Sequence, residues 1–331
     1  MNHSDSSHEA RHAATTATTA PATEAFTPQL DVTVAGIHFQ NPVLTASGTF
    51  GYGREFADII DLNQLGGIAV KGISAEPMPG NPPPRIYETE SGMLNAIGLQ
   101  NPGVDAFIAK DLAWLDKRNV PAIASIGGHT VEEYVACAER LRDAPLVALE
   151  LNLSCPNLED RGFMFALAPE KAAEVCAAVK QVSMVPVFAK LSPDVTDLVS
   201  IADAAVKGGA DGLSLINTTL GMAIDVRTLR PKLSTGTGGL SGPAIRPIAV
   251  RCIWQVHAAM PHVPIIGMGG VAAGEHAIEL ILAGATAVAV GTANFYDPLA
   301  AEKVRDGIAA FMADRGLGDL EQIRGRVKVE G

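Results

Sequence analysis

Two kinds of residue in this chain are hard to explain as packing. The first is a thiol, Cys155, in the run Asn152-Leu153-Ser154-Cys155-Pro156-Asn157. That run ends a mostly apolar stretch, residues 146–151, which reads as a buried strand. A thiol set between two amides and stopped by a proline builds no core. Placed where a chain leaves a strand, it suits a base or a nucleophile, with Asn152 and Asn157 free to hold a polar substrate. The second kind is lysine. Lys71 and Lys190 each close an apolar run, and an ammonium there is costly unless it meets an anion. Lys190 allows two chemistries: a desolvated Schiff-base nucleophile, or a fixed cation that stabilises negative charge on a reduced cofactor. The amides Asn95, Asn152 and Asn217 favour a planar, hydrogen-bonding heterocycle. An aldolase site would need carboxylates for proton transfer, and the strand ends show none.

These residues need a scaffold that gathers strand ends at one place. Short β-rich runs fall at residues 42–47, 67–71, 122–126, 147–153, 187–191, 212–217, 265–268 and 287–291. Stretches with helical spacing lie between them, at 106–117, 132–142, 169–182, 195–207, 243–258, 274–283 and 298–314. Strand–helix alternation implies parallel pairing. Eight such strands predict an α/β fold, a closed (β/α)8 TIM barrel, with long insertions after strands 2 and 6 (residues 73–103 and 219–242) at the C-terminal mouth. Residues 32–40 read as a short hairpin that plugs the barrel bottom. A weak internal likeness between residues 207–217 and 282–292 reads as shared barrel grammar. In this register Gly267-Met268-Gly269-Gly270 and Val290-Gly291-Thr292-Ala293 close strands seven and eight. Barrels commonly cradle a phosphate there on backbone N–H groups. Residues 235–243 read as a third glycine-rich turn opening a helix; it lacks the lysine spacing of a Walker loop.

Composition excludes several classes. The net charge is −11, from 25 basic and 36 acidic residues, with no basic stripe for nucleic acid. The four cysteines form no C-x-x-C pair, so the chain is not expected to hold an iron–sulfur cluster or zinc by itself, and no metal site is expected. Cys137, Cys176 and Cys252 fall in helical patterns and read as small apolar fillers. Residues 1–29 are rich in Ala, Thr, Ser and His and lack an apolar core segment. They read as a disordered tail rather than a secretory signal, ahead of a single barrel domain over 30–331. No run reaches membrane-spanning length, and the cysteine pattern suits a reducing, cytoplasmic setting.

At the quoted segments the chain resembles the dihydroorotate dehydrogenases, FMN flavoproteins of pyrimidine synthesis. The likeness covers about residues 31–300 and is carried by residues 41–53, 80–85, 91–103, 152–157, 189–193, 216–218, 238–243 and 290–295. The wording of residues 95–99 and the insertion after strand 6 are similar to the class 1B catalytic subunit. The resemblance implies that FMN is held by Ser47, Lys71, Gly72, Ser125, Asn152, Lys190, Ile216, Gly242, Gly269, Gly270, Gly291 and Thr292, with its phosphate on the last four. Ser125 stands where relatives often carry asparagine. Substrate contacts would be Lys71, Asn95, Ala96, Ile97, Gly98, Leu99, Asn152, Asn217 and Thr218. Cys155 matches the family's base and Lys190 its second catalytic residue. The implied reaction is oxidation of (S)-dihydroorotate to orotate on the route to UMP. Cys155 takes a proton from C5, C6 gives hydride to flavin N5, and Lys190 stabilises the anionic reduced flavin.

The chain has no dinucleotide fingerprint and no cluster cysteines. The resemblance therefore implies a homodimer within a heterotetramer, whose second subunit carries FAD and a [2Fe–2S] cluster and passes electrons to NAD+. Three alternatives stay open: a stand-alone fumarate-using enzyme, a related dihydropyrimidine flavoenzyme, and a Schiff-base barrel lyase using Lys190.

Overall fold

The computed structural model describes residues 28–153 and 165–328. Cys155 and Asn157, and all but the last two residues of the expected tail, lie outside the described residues. The eight expected strands form at Val43–Thr45, Gly67–Ala69, Ala122–Ile126, Ala148–Asn152, Val187–Leu191, Gly212–Leu215, Ile265–Met268 and Ala287–Val290. They close into one parallel barrel in chain order, the eighth pairing with the first through Val290 and Thr45. Helices follow strands two to eight. After the first strand there are only turns and a 3-10 turn at Leu62–Gln64.

Side-chain alternation along the strands builds two cores. Outward residues such as Leu149, Leu151, Val187 and Ala189 pack against the helices. Inward residues near the strand starts, among them Leu44, Ile123, Phe188 and Ile266, fill the barrel bottom. A hairpin, Val32–Val34 with Ile37–Phe39, seals that end. It inserts Val34 and Phe39, which are 0% and 1% exposed, into the same cluster. The expected plug is present.

Helix boundaries follow local chemistry. Thr130 and Asp197 cap the helices Val131–Arg140 and Leu198–Lys207 by accepting from Glu133 and Ser200 amides. Pro169 opens the helix Pro169–Val182. The helix expected at 106–117 begins at Val104 and widens to a π-helix over Phe107–Leu112. Within it, buried Asp111 accepts from Arg54 Nε at 2.9 Å, tying this helix to the turns after the first strand. The C-terminal segment folds back on the barrel, with the Gly325 N–H donating to Ile281 O at 3.0 Å. Among the described residues no helix is long and apolar enough to cross a membrane.

The two insertions are one structure. Ile86–Thr89 and Gly92–Asn95 from the first join Thr219–Gly221 and Gly238–Ser241 from the second in a four-stranded antiparallel sheet beside the mouth. This corrects the expectation of a glycine-rich turn at 235–243, because Gly238–Ser241 is a strand. Its glycines serve close approach. A Cβ on Gly238 would stand 2.5 Å from Asn95 O, and one on Gly239 would stand 2.1 Å from Thr218 Oγ1.

Candidate active site

Toward the C-terminal ends of the strands the barrel interior turns polar. One step above Phe188 comes Lys190; above Ile123, Ser125; above Ala148, Glu150 and then Asn152. The mouth above this layer holds a cavity of about 590 Å³, within the range of small-molecule and cofactor sites. Of the expected residues, Ser47, Lys71, Gly72, Asn95, Ile97, Gly98, Leu99, Ser125, Asn152, Lys190, Ile216, Asn217, Thr218, Gly242, Gly269, Gly270, Gly291 and Thr292 all line it. Ala96 does not: it is fully buried in a separate cluster with Leu94 and Leu233 beneath the mouth sheet.

One end of the cavity is a cradle of backbone. Gly269 and Gly270 have φ of 123° and 72°, values that favour glycine. A Cβ on Gly270 would meet Arg246 Cβ at 2.7 Å. Among the described residues, the N–H groups of Gly270, Gly291 and Thr292 donate to no protein acceptor. The hydroxyls of Ser241 and Thr292 meet beside them at 2.8 Å. Unused amides at the ends of strands seven and eight, with a short helix at Ala293–Tyr296, fit a phosphate group.

The other end is lined by amides and a cation. Asn217 Nδ2 donates to Asn152 Oδ1 at 2.9 Å. Asn152 is itself set by Tyr134, whose hydroxyl donates to the Asn152 carbonyl at 2.7 Å. Asn95 Nδ2 donates to Gly239 O at 3.2 Å, so the mouth sheet orients it. The loop that follows carries Gly98 and Leu99 at φ 73° and 53°. Asn101 clamps this loop: its Nδ2 donates to Ser74 Oγ and to Leu99 O, both at 2.7 Å. The Lys71 backbone N–H donates to Gly51 O at 2.9 Å, while its ammonium has no hydrogen-bond or ion-pair partner among the described residues. Burial pulls its affinity for a proton below that of an ordinary lysine; Glu55 opposes this and Arg85 adds to it. A half-buried, unpaired ammonium is a ready seat for a carboxylate.

Between the two ends stands Lys190, only 5% exposed. Its Nζ donates to Ser47 Oγ at 2.8 Å and pairs with Glu150 Oε1 at 3.3 Å. Ser47 Oγ in turn donates to the same Glu150 oxygen at 2.9 Å. Burial would push the Glu150 carboxyl up, yet it is held below the usual carboxylate range by the Lys190 ammonium and the hydroxyls of Ser47, Ser214 and Ser125. The last two hydroxyls are buried without a well-formed hydrogen bond and border this carboxylate. A lysine tied this way is a fixed cation; a Schiff-base nucleophile would need a free amine.

Glu150 is the residue that sequence reasoning missed, and it corrects the statement that the strand ends carry no carboxylate. The period of two gave the signal, since Glu150 shares a strand face with Asn152. Asn101, Tyr134 and Ser241 were also not singled out. Cys155 lies outside the described residues. Cys137, Cys176 and Cys252 are buried, as expected of fillers. Among the described residues no cluster of His, Cys, Asp or Glu could hold a metal ion.

The family model described as dihydroorotate dehydrogenase matches residues 29–312. Three curated relatives are each named dihydroorotate dehydrogenase B (NAD(+)), catalytic subunit. The one from Geotalea daltonii is 53% identical over 303 residues, 91% of this chain and 99% of the relative. That from Alkaliphilus metalliredigens is 54% identical over 296 residues, 89% and 98% of the two chains. That from Geobacillus kaustophilus is 52% identical over 299 residues, 90% and 95%. With the family model matching residues 29–312 and more than half of the aligned positions identical along nearly the full length of these relatives, the chain belongs to the dihydroorotate dehydrogenase family.

Proposed function

We propose that this chain is the catalytic subunit of an NAD+-linked dihydroorotate dehydrogenase, oxidising (S)-dihydroorotate to orotate in pyrimidine synthesis. One observation supports it most. A single cavity joins a phosphate-sized backbone cradle to an amide-lined pocket with an unpaired lysine, and a fixed ammonium stands between them. FMN fits the donor set. Its phosphate would lie on Gly269, Gly270, Gly291 and Thr292, and its ring system against Ser47, Ser125, Ile216 and Lys190. Bound there, FMN supplies a two-electron acceptor for hydride chemistry.

The chain's own residues do the rest. Lys71 takes the substrate carboxylate by a charge-assisted contact. Asn95, Asn152 and Asn217 hold the ring by its N–H and C=O edges, which fixes the face presented to the cofactor. Leu99 and Ile216 wall the site and exclude water. Lys190 holds positive charge at a fixed Nζ, where negative charge develops during reduction. Cys155 accepts the substrate proton at Sγ.

Electrons leave through a second subunit carrying FAD and a [2Fe–2S] cluster, in a heterotetramer built on a homodimer of this chain, in the cytoplasm. One finding agrees with this: the printed names of the relatives call each a catalytic subunit. The test is steady-state oxidation of dihydroorotate by the purified chain with a dye, NAD+ and fumarate offered in parallel. Dye reduction alone is expected, and Cys155→Ala should keep FMN while losing turnover. Fumarate use would move the chain to the stand-alone class. No oxidation with any acceptor despite bound FMN would refute the substrate.

A further inference from the structure

Glu150 is absent from the cavity lining, yet it touches two residues that form it. It lies beneath Lys190 and Ser47 and is 2% exposed. All three side chains meet, Lys190 on Ser47, Ser47 on Glu150, and Lys190 on Glu150. The groups facing Lys190 come from separate strands: Glu150 from the fourth, and Ser47 from the loop after the first. Ser125 and Ser214, from the third and sixth, border the carboxylate. Among the described residues Glu150 is the only acid in this layer, and the other cation lining the cavity is Lys71.

A carboxylate buried this deeply is expensive to keep. A barrel layer of this kind would pack as well with an apolar residue, as the layer below it does. We propose that Glu150 is a positioning residue for the reaction: through its direct contact and through Ser47, it keeps Lys190 protonated and aimed at the cofactor. This rests on the reading of the cavity as a flavin site. Without Glu150, Lys190 would be a buried ammonium supported by one hydroxyl. Burial then disfavours the charged form, and the amine both loses its proton more readily and swings free.

The test measures that amine directly, on the flavin-free chain. Formaldehyde and a borane reductant methylate neutral lysines, and peptide mass mapping reads Lys190 and Lys71 separately. Lys71 lines the same cavity and its ammonium has no partner among the described residues, so a change in its methylation between wild type and variant reports access. In Glu150→Gln at pH 8, the ratio of Lys190 to Lys71 methylation is expected to rise about tenfold or more, the effect of at least one unit of lost proton affinity. Glu150→Asp, which keeps the charge, should return the ratio toward wild type. A general loosening of the barrel would raise both lysines together and leave the ratio unchanged, which overturns the proposal. If Glu150→Gln does not fold, Ser47→Ala takes its place, with a smaller rise expected and an unchanged ratio again refuting it.

A second arm loads the variants with FMN. The midpoint potential in Glu150→Gln should fall below wild type, and Glu150→Asp should restore it. An unchanged potential would remove the link to the reaction. Failure of the wild-type chain to bind FMN would instead refute the flavin reading, while the methylation ratio would still decide what Glu150 does to Lys190.

Discussion

Gly239 gives the sharpest test of how the mouth sheet serves the cavity. Its carbonyl accepts from Asn95 Nδ2 at 3.2 Å, and its Cα lies against Thr218. An alanine Cβ at this position would stand 2.1 Å from Thr218 Oγ1 and 2.7 Å from Thr218 Cβ. Rotating the Thr218 side chain relieves the first clash and leaves the second, so the backbone must yield. Bringing the hydroxyl from 2.1 Å out to an ordinary contact beyond 3 Å moves one wall of the substrate end by about an ångström. The same shift drags the acceptor of Asn95. A misplacement of about 1 Å costs on the order of 100-fold in rate, whereas overpacking at one point lowers stability by only about 1–3 kcal/mol. Gly239→Ala should therefore fold, retain FMN, and lose roughly 100-fold in kcat/KM for dihydroorotate. Steady-state kinetics with dye as acceptor, alongside urea unfolding and flavin absorbance, measures all three. Wild-type kcat/KM in a folded Gly239→Ala chain would refute the argument that the sheet positions Thr218 and Asn95.

Three further outcomes are expected. Lys71→Met should weaken orotate binding by about tenfold or more, the usual loss for a charge-assisted contact. It should also stabilise the flavin-free chain at pH 7, because the folded state holds the Lys71 proton less tightly than the unfolded state does. That penalty is present at neutral pH and fades as pH rises toward the ordinary lysine value of about 10.4. Urea midpoints at several pH values check the sign, and a less stable variant at pH 7 would contradict it. Phe39→Ala empties the plug at the barrel bottom and should cost about 3–5 kcal/mol; a urea-derived loss under about 1 kcal/mol would mean the hairpin is not a structural seal. Among the thiols, burial pushes Cys137 and Cys176 up to about 12. Both should resist a disulfide reagent at pH 8 until the chain unfolds, and prompt labelling of either in the native protein would show that the helix packing opens.

Much of the fold was legible because parallel strands buried on both faces leave an unmistakable mark. Residues 122–126, 187–191 and 265–268 have the same bounds as their strands, and the others shift by a residue or two at their ends. The mouth sheet was not legible. Its strands run three or four residues, and Gly238 and Gly239 are there for contact distance rather than for turning. Local propensity reads such glycines as a loop, and only the partner strands, distant in sequence, make them a strand. The candidate site shows the same division. Lys71, Lys190 and the glycine turns stood out because they break apolar runs. Glu150 was passed over because it sits inside one, flanked by Leu149 and Leu151. Its meaning depends on Lys190 in the neighbouring strand, and the register pairs Asn152 with Lys190, so Glu150 reaches the lysine diagonally.

The mouth sheet also constrains how this protein comes into being on the ribosome. Asn95 and Gly239, which join across it, are 144 residues apart. The hairpin Ile86–Thr89 with Gly92–Asn95 is synthesised early and waits, its partner face open, until the second insertion emerges. By then only the last two barrel strands remain to be made. Cover and ring therefore come together near the end of translation, and no nascent fragment short of that point can enclose a ligand. Enclosure of the cavity is a property of the finished chain.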